Sequence, residues 1–279
     1  MSYGYDDLFI KTANSDEISI TDNIQGLKFL GIETDPAFVN TYQTIVGVDG
    51  SQLQAADIAK NKLTANFWLQ FGDYQDFLLA KRKISHYLGT KQPLRIRTGT
   101  QAGLCAFVLP DNFTIKPSQP GSHNAVFSIP FDNPSGYYYS VLRSDEINSN
   151  NDELQIGMNL PNQQLDYHFN TTSFQVYNAG DVVVDPYYQH NDLRISLTFT
   201  GNYCQIVNNT NGSEWKYNSS SSGKDNIVIN GINTTDNNTP CSLSTDYGNI
   251  ILNTGWNDIT INGTSAIDIT FSFPFIYMC

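Results

Sequence analysis

The chain has 279 residues, of which 40% are hydrophobic and 13% aromatic; this supports packed cores and excludes a disordered chain. The net charge is −12 and unevenly placed: residues 1–140 hold 13 acidic and 11 basic side chains, and residues 141–279 hold 14 and four. That acidic second half lacks the clustered Lys and Arg that binding to nucleic-acid backbone or anionic lipid requires. The length suits two domains, 1–141 and 142–279. Met1 to Asp7 is acidic where a secretory signal would be basic and then apolar, and no apolar run nears the length of a membrane-spanning helix. Synthesis in a cytoplasm is therefore expected, with no membrane partner.

The first predicted strand alternates Ile18 and Ile20 with Ser19 and Thr21. Asp35-Pro36 marks a turn. Residues 36–59 form a long, moderately apolar segment with Gly47-Val-Asp-Gly50 at its tip, read as a projecting hairpin arm. Asp49-Gly50 is the usual pair for a tight hairpin turn. Its apolar members are Tyr42, Ile45, Val46, Val48 and Leu53.

Ala65, Phe67, Leu69 and Phe71 alternate with polar residues and Trp68, the signature of a strand with one buried face. At Gly72-Asp73 the period changes. Residues 73–88 read as the one long helix, capped by Asp73, with Tyr74, Phe77, Leu78, Ile84 and Leu88 on its apolar face and Gly89 as a left-handed stop. Lys81, Arg82 and Lys83 lie mostly off that face; they are solvated side chains or an inter-subunit charge contact. Strands follow at 94–98, 105–109 and 125–131, the last closed by Pro130 and Pro134, and Tyr137-Tyr-Tyr139 leads into a polar linker at 144–153.

The second half reads as β throughout, with strands at 174–177, 193–199, 227–229 and 250–252. A last strand places Ile267, Ile269, Phe271, Phe273 and Phe275 on one face. Short strands with polar turns and no helix indicate an antiparallel sandwich.

Catalytic motifs are missing from the sequence. His86, His123, His168 and His190 are scattered without metal-ligand spacing, and no GxSxG elbow, Walker A loop or HExxH motif occurs. Gly99-Thr-Gln-Ala-Gly103 reads as a turn. The carboxylate pairs Asp145-Glu146 and Asp152-Glu153 fall in the polar linker, where solvation explains them better than acid–base chemistry. Cys105, Cys204, Cys241 and Cys279 contain no CxxC pair and are expected as free thiols, with a Cys204–Cys241 bridge the weaker alternative. Trp215, Tyr217 and Trp256 are candidates for a sugar-stacking platform, or equally for core or rim. The expectation is no enzyme, no cofactor and no metal.

Element order resembles the distal tail (Dit) proteins of siphophages over nearly the whole chain. The first half carries the resemblance in Phe67-Trp-Leu-Gln-Phe-Gly-Asp-Tyr-Gln-Asp-Phe77, Leu88-Gly-Thr-Lys-Gln-Pro-Leu-Arg-Ile-Arg97 and Ala125-Val-Phe-Ser-Ile-Pro-Phe131. The second half carries it in Phe174-Gln-Val-Tyr-Asn-Ala-Gly-Asp181, Gly255-Trp-Asn-Asp-Ile-Thr-Ile-Asn-Gly263 and Ile269-Thr-Phe-Ser-Phe-Pro-Phe-Ile-Tyr277. The resemblance implies a mainly β protein of compact type. Its N-terminal β-sandwich would carry one helix and a projecting arm or belt, and its C-terminal domain would be a galectin-like antiparallel β-sandwich. It also implies a homohexameric ring in a phage tail tip, on phages of Gram-positive bacteria. Such a ring joins the tail tube protein to the tail-associated (Tal) hub, carries receptor-binding or adapter proteins on some phages, and leaves a channel through which DNA passes, with acidic side chains expected to line it. Three alternatives are a carbohydrate-binding module for host cell-wall polysaccharide, a cell-wall hydrolase and a tail-tube subunit.

Overall fold

The computed structural model describes residues 6–13, 15–147 and 157–279. The chain is mainly β, with antiparallel sheets, and forms two compact units: residues 1–138 with 278–279, and residues 139–277.

The first unit contains β1 (Leu8–Lys11), β2 (Ile18–Ser19), α1 (Ile20–Asn23), β3 (Leu27–Thr34), β4 (Phe38–Gln43), β5 (Gln52–Ile58), β6 (Asn61–Gln70), α2 (Tyr74–Leu88), β7 (Leu94–Thr98), β8 (Leu104–Pro110) and β9 (Asn124–Asn133); β10 (Tyr137–Arg143) leads out of it. One strand path runs β2-β1-β7-β8-β9-β6-β3, and β8 belongs to both of its ladders, pairing β7 at Leu94↔Val108 and β9 at Leu109↔Asp132.

β6 is the spine of this unit. Leu63, Ala65, Phe67 and Leu69 alternate inward, as the sequence period requires, and lie opposite Phe131, Ile129, Phe127 and Ala125 of β9. Phe67 is fully buried, its ring 5.5 Å from Phe29 and 5.6 Å from Phe127. On the other side of β6, β3 accommodates an extra residue between Phe29 and Gly31, which leaves Leu30 exposed.

Several local expectations need correction. Ile20 does not continue a strand: Ser19 accepts a hydrogen bond from the Asp22 N–H and starts the single turn of α1. Asp73 caps α2 as expected, accepting from the N–H groups of Gln75 and Asp76, each at 2.8 Å. The buried stripe of α2, however, is Phe77, Ala80, Ile84 and Leu88, while Tyr74 and Leu78 are exposed. The small Ala80, three residues after Phe77 and four before Ile84, turns the buried face away from them. Gly89 has φ −77°, not a left-handed conformation; its role is close approach, since a Cβ there would lie 2.4 Å from Ser85 O. Pro130 lies within β9 instead of ending it. Its carbonyl accepts from the Asp111 N–H, so its nitrogen faces the same edge, where β8 has already ended at Pro110 and no ladder donor is needed.

Glu17, just before β2, ties that end of the sheet to β7. It accepts from Arg95 Nη2 at 2.8 Å and Arg97 Nε at 2.8 Å, and the Arg97 guanidinium lies 4.3 Å from the centre of the Phe9 ring. Burial alone would push the Glu17 carboxyl up; the bonds from Arg97 and Arg95 outweigh it and hold the group below its ordinary value.

The second unit contains β11 (His168–Phe169), β12 (Ser173–Asn178), β13 (Arg194–Asn208), β14 (Glu214–Tyr217), β15 (Ser221–Ser222), β16 (Ile227–Asn230), β17 (Asn233–Asp236), β18 (Thr239–Pro240), β19 (Gly255–Ser272) and β20 (Pro274–Met278). Its frame is the long antiparallel pair β13–β19, running from Arg194↔Ser272 to Asn208↔Ile259. β19 pairs on its other side with β12 near its start and β11 near its end; β13 does the same with β16, β15 and β14. The ladder slips in register around Gly201. There the backbones approach so closely that a Cβ on Gly201 would lie 2.3 Å from Gly263 O, and Gly263 has φ +84°. The slip shifts the buried phase of β13 from Ile195, Leu197 and Phe199 to Cys204, Ile206 and Asn208.

The expected strand from Ile267 is the end of the much longer β19, and Phe273 separates it from β20. The strand expected at 250–252 is only an isolated bridge, Val184↔Leu252. Three buried asparagines hold the loops around it. Asn178 donates to Val182 O and accepts from the Gly180 N–H, each at 3.0 Å. Asn208 donates to Ile251 O at 2.7 Å and to Asn257 Oδ1 at 2.9 Å. Asn257 donates to Asn253 O at 2.8 Å and accepts from the Asn253 N–H at 2.8 Å. A buried amide retained at this depth has its donors and acceptors met.

Two outcomes are expected. Phe67→Ala should lower stability by about 3–5 kcal/mol, read as a lower denaturant midpoint at unchanged slope. For Glu17, the folded value lies below the unfolded one, so its stabilisation is complete above the ordinary Glu range and is lost as pH falls through the folded value. The stability gap between wild type and Glu17→Gln should be widest near neutrality and narrow as the pH falls below the ordinary Glu value of about 4.3; a gap constant down to pH 3 would contradict this account.

Candidate functional site

The arm expected at 36–59 is a free-standing two-stranded sheet of β4 and β5. Ladder pairs run from Phe38↔Ile58 to Gln43↔Gln52, with Tyr42 opposite Leu53 and a bulge beside them. The tip is longer than the two-residue turn suggested by Asp49-Gly50: residues 44–51 form the loop, with Gly47 and Gly50 both at positive φ. At its base the Ala59 N–H donates to Ala37 O at 2.8 Å.

Seven large apolar side chains of this hairpin are exposed: Phe38, Val39, Tyr42, Ile45, Val46, Val48 and Leu53, with Val46 wholly so. Every residue of β4, and every residue of β5 except Ile58, is exposed. An isolated two-stranded hairpin is at best marginally stable in water, and an exposed apolar patch of this kind marks an interaction surface.

Lys81, Arg82 and Lys83 are all exposed on α2 and form no ion pair among the described residues. Tyr74, Leu78 and Leu79 of the same helix are also exposed. The helix thus presents a mixed apolar and basic surface.

The suggested three-residue aromatic platform does not form. Trp215 is 1% exposed and Tyr217 is also buried; their rings stack 6.3 Å apart inside the second unit. Tyr217 OH donates to Asp236 Oδ2 at 3.1 Å. The alternation in β14 turns Trp215 and Tyr217 inward together and leaves Glu214 outside. Trp256 is 39% exposed and pairs instead with Tyr177, ring centres 4.8 Å apart, a partner that the spacing along the sequence does not reveal.

The remaining chemical candidates have structural surroundings. His168 Nδ1 is 2.9 Å from Thr270 Oγ1, and His86 and His190 are exposed. No group of His, Cys, Asp and Glu among the described residues is placed to hold a metal ion. Glu146 accepts from the Arg143 N–H at 2.9 Å and closes a single 3-10 turn, while Arg143 pairs with Asp192 and donates to Ser272 O at 2.8 Å. Asp152-Glu153, with most of the linker at 144–153, lies outside the described residues. The four cysteines form no disulfide among the described residues, so the Cys204–Cys241 bridge is not formed; burial pushes Cys105 and Cys204 each up to about 12. No helix among the described residues is long and apolar enough to cross a membrane.

Against known proteins, the chain matches the family model for the phage tail protein RIFT-related domain over residues 14–153. Its fold is similar to the crystal structure of Dit (gp 19.1) of SPP1, described as a paradigm of the hub adsorption apparatus in phages infecting Gram-positive bacteria. That likeness has a TM-score of 0.66 at 12% identity, covering 96% of this chain and 99% of the other. A chain of the phage p2 baseplate, in its activated conformation with Sr, aligns at 11% identity and a TM-score of 0.47, covering 97% of this chain and 98% of that one. No curated protein sequence matches. With the family model matching half of its length, the chain belongs to the family of phage tail proteins with a RIFT-related domain.

Proposed function

We propose that this phage tail protein is a ring-forming hub subunit at the tail tip, six copies closing a channel for DNA. In this reading residues 1–141 form the ring, and residues 142–279 are the galectin-like sandwich. The ring joins the tail tube protein above to the tail-associated hub below, with receptor-binding or adapter proteins at its periphery. The role is structural, without catalysis, and the copies are made in the host cytoplasm before entering the virion.

The exposed β4–β5 hairpin carries this reading. A closed cyclic ring requires a heterologous interface, in which one patch meets a different patch on the next copy. A hairpin with both faces wet and an open edge meets that need. Lying on the adjacent subunit, it would bury Tyr42, Ile45, Val46, Val48 and Leu53, and strand addition would satisfy its edge. The basic run Lys81, Arg82 and Lys83 supplies charge contacts to the neighbour. The SPP1 protein described as part of a hub apparatus shares the fold, which supports the reading without assigning contacts. The carbohydrate-module reading loses Trp215 and Tyr217, which are buried.

Light scattering on a sizing column should give the mass of six subunits for the full chain, and monomer after deletion of residues 40–56. A hexamer surviving the deletion would exclude the arm as the ring contact. Reversing the charges together (Lys81→Glu, Arg82→Glu, Lys83→Glu) should lower the hexamer fraction at low salt and much less at high salt, because exposed pairs contribute only about 0.2–1 kcal/mol each and are screened.

A further inference from the structure

The outward surface of α2 is uncovered among the described residues. Phe77, Ala80, Ile84 and Leu88 face the core, so Leu79 and Arg82, three residues apart, point away from it. Leu78 lies four residues before Arg82 on the same side, and Lys81 and Lys83 flank it. Leu78 is 47% and Leu79 60% exposed. Two concavities open beside the start of the helix. One, of about 230 Å³, is bounded by Phe71, Leu79 and Lys83, and the other, of about 480 Å³, by Phe71, Tyr74 and Pro120. A grooved apolar patch thus runs into a basic one.

The β4–β5 hairpin has the complementary form. Residues directly opposite in a ladder share a face, and alternate residues of a strand return to it. Phe38 opposite Ile58 and Tyr42 opposite Leu53 therefore lie on one face, with Asn40 and Ala56 between them. The other face holds Asp57 and the opposed pair Gln43 and Gln52, and Gln54, the extra residue at the bulge, donates to Gln43 Oε1. The arm is two-sided, apolar on one face and largely polar on the other.

Charge and length agree with this match. Residues 35–59 hold Asp35, Asp49 and Asp57 and no Lys or Arg, whereas residues 74–91 hold Lys81, Arg82, Lys83 and Lys91 against the single acid Asp76. The six residues of β4 span roughly 20 Å, and the 15 residues of α2 about 22 Å.

We infer that the arm of one copy seats on α2 of a second copy of this chain, its apolar face over Leu78 and Leu79 and its acids toward Lys81, Arg82 and Lys83. The inference rests on the ring reading above and names the receiving surface. Arm against arm would oppose acid to acid, and helix against helix base to base, so like patches repel and unlike patches attract. Contact between unlike patches is what a closed ring requires.

The test is a charge swap, read by light scattering on the full chain at low salt. Asp35→Lys, Asp49→Lys and Asp57→Lys together reverse the arm; Lys81→Glu, Arg82→Glu and Lys83→Glu reverse the helix. Each set alone should lower the hexamer fraction by about fivefold or more, because like charges then face each other. Both sets in one chain should restore it to the wild-type level, since every contact then pairs a reversed arm with a reversed helix. All of these positions are exposed, which spares the fold of the single copy. Leu78→Ser with Leu79→Ser should also lower the hexamer fraction, and as much in high sodium chloride as in low, because apolar contact is not screened. No restoration in the combined variant, or an unchanged hexamer in the helix reversal or in the leucine variant, would overturn α2 as the receiving surface and leave the ring standing. A monomeric wild type would instead remove the ring reading, and this inference with it.

Discussion

Side chains on paired strands alternate between faces, and both units rest on that constraint. In the first unit the β6–β9 ladder puts Leu63, Ala65, Phe67 and Leu69 against Phe131, Ile129, Phe127 and Ala125. In the second, β13 and β19 do the same on either side of the slip at Gly201. A slip of one residue would send every buried ring to the wet face. Where the chain needs to change phase it uses defined devices: the extra Leu30 in β3 and the glycine crossing of Gly201 and Gly263. The β4–β5 hairpin is where this logic stops, because neither of its faces meets a core.

Features set by local chemistry were legible in the sequence. The period-two runs at 65–71, 125–131 and 193–199 became strands with the expected inward residues. Asp73 capped α2 because a short acceptor before a helical run has few other uses. What could not be read was set by partners distant in sequence. Trp215 and Tyr217 share a face by spacing, but only the ladder to β13 decides that the face points inward. Pro130 looked like a strand end because its missing donor matters only if a neighbour needs it, and β8 ends just there. Tyr74 and Leu78 fit a helical stripe, yet the stripe that packs runs through Ala80.

The candidate sites were legible to different degrees. The apolar residues of the arm could be named from sequence, since a long apolar stretch with glycines at its tip and no helical period has few other readings. Its complete exposure required the structure. The pairing of Tyr177 with Trp256 was hidden, because the two are far apart in sequence and meet only across β12 and β19. The buried asparagines were obscured by composition. In a stretch dense with Asn, Ser and Thr, nothing local separates Asn178, Asn208 and Asn257, which are internal, from the wet ones around them.

The uncovered hairpin also has a consequence for copies not yet assembled. A bare strand edge flanked by apolar side chains is a template for pairing with any passing chain, including another copy in the wrong geometry. Left uncovered, the hairpin is a standing aggregation hazard. The net charge of −12 supplies an opposing long-range repulsion between free copies. Solubility of the unassembled pool is then a balance between a short-range adhesive element and a diffuse like-charge field, and high ionic strength shifts that balance toward association.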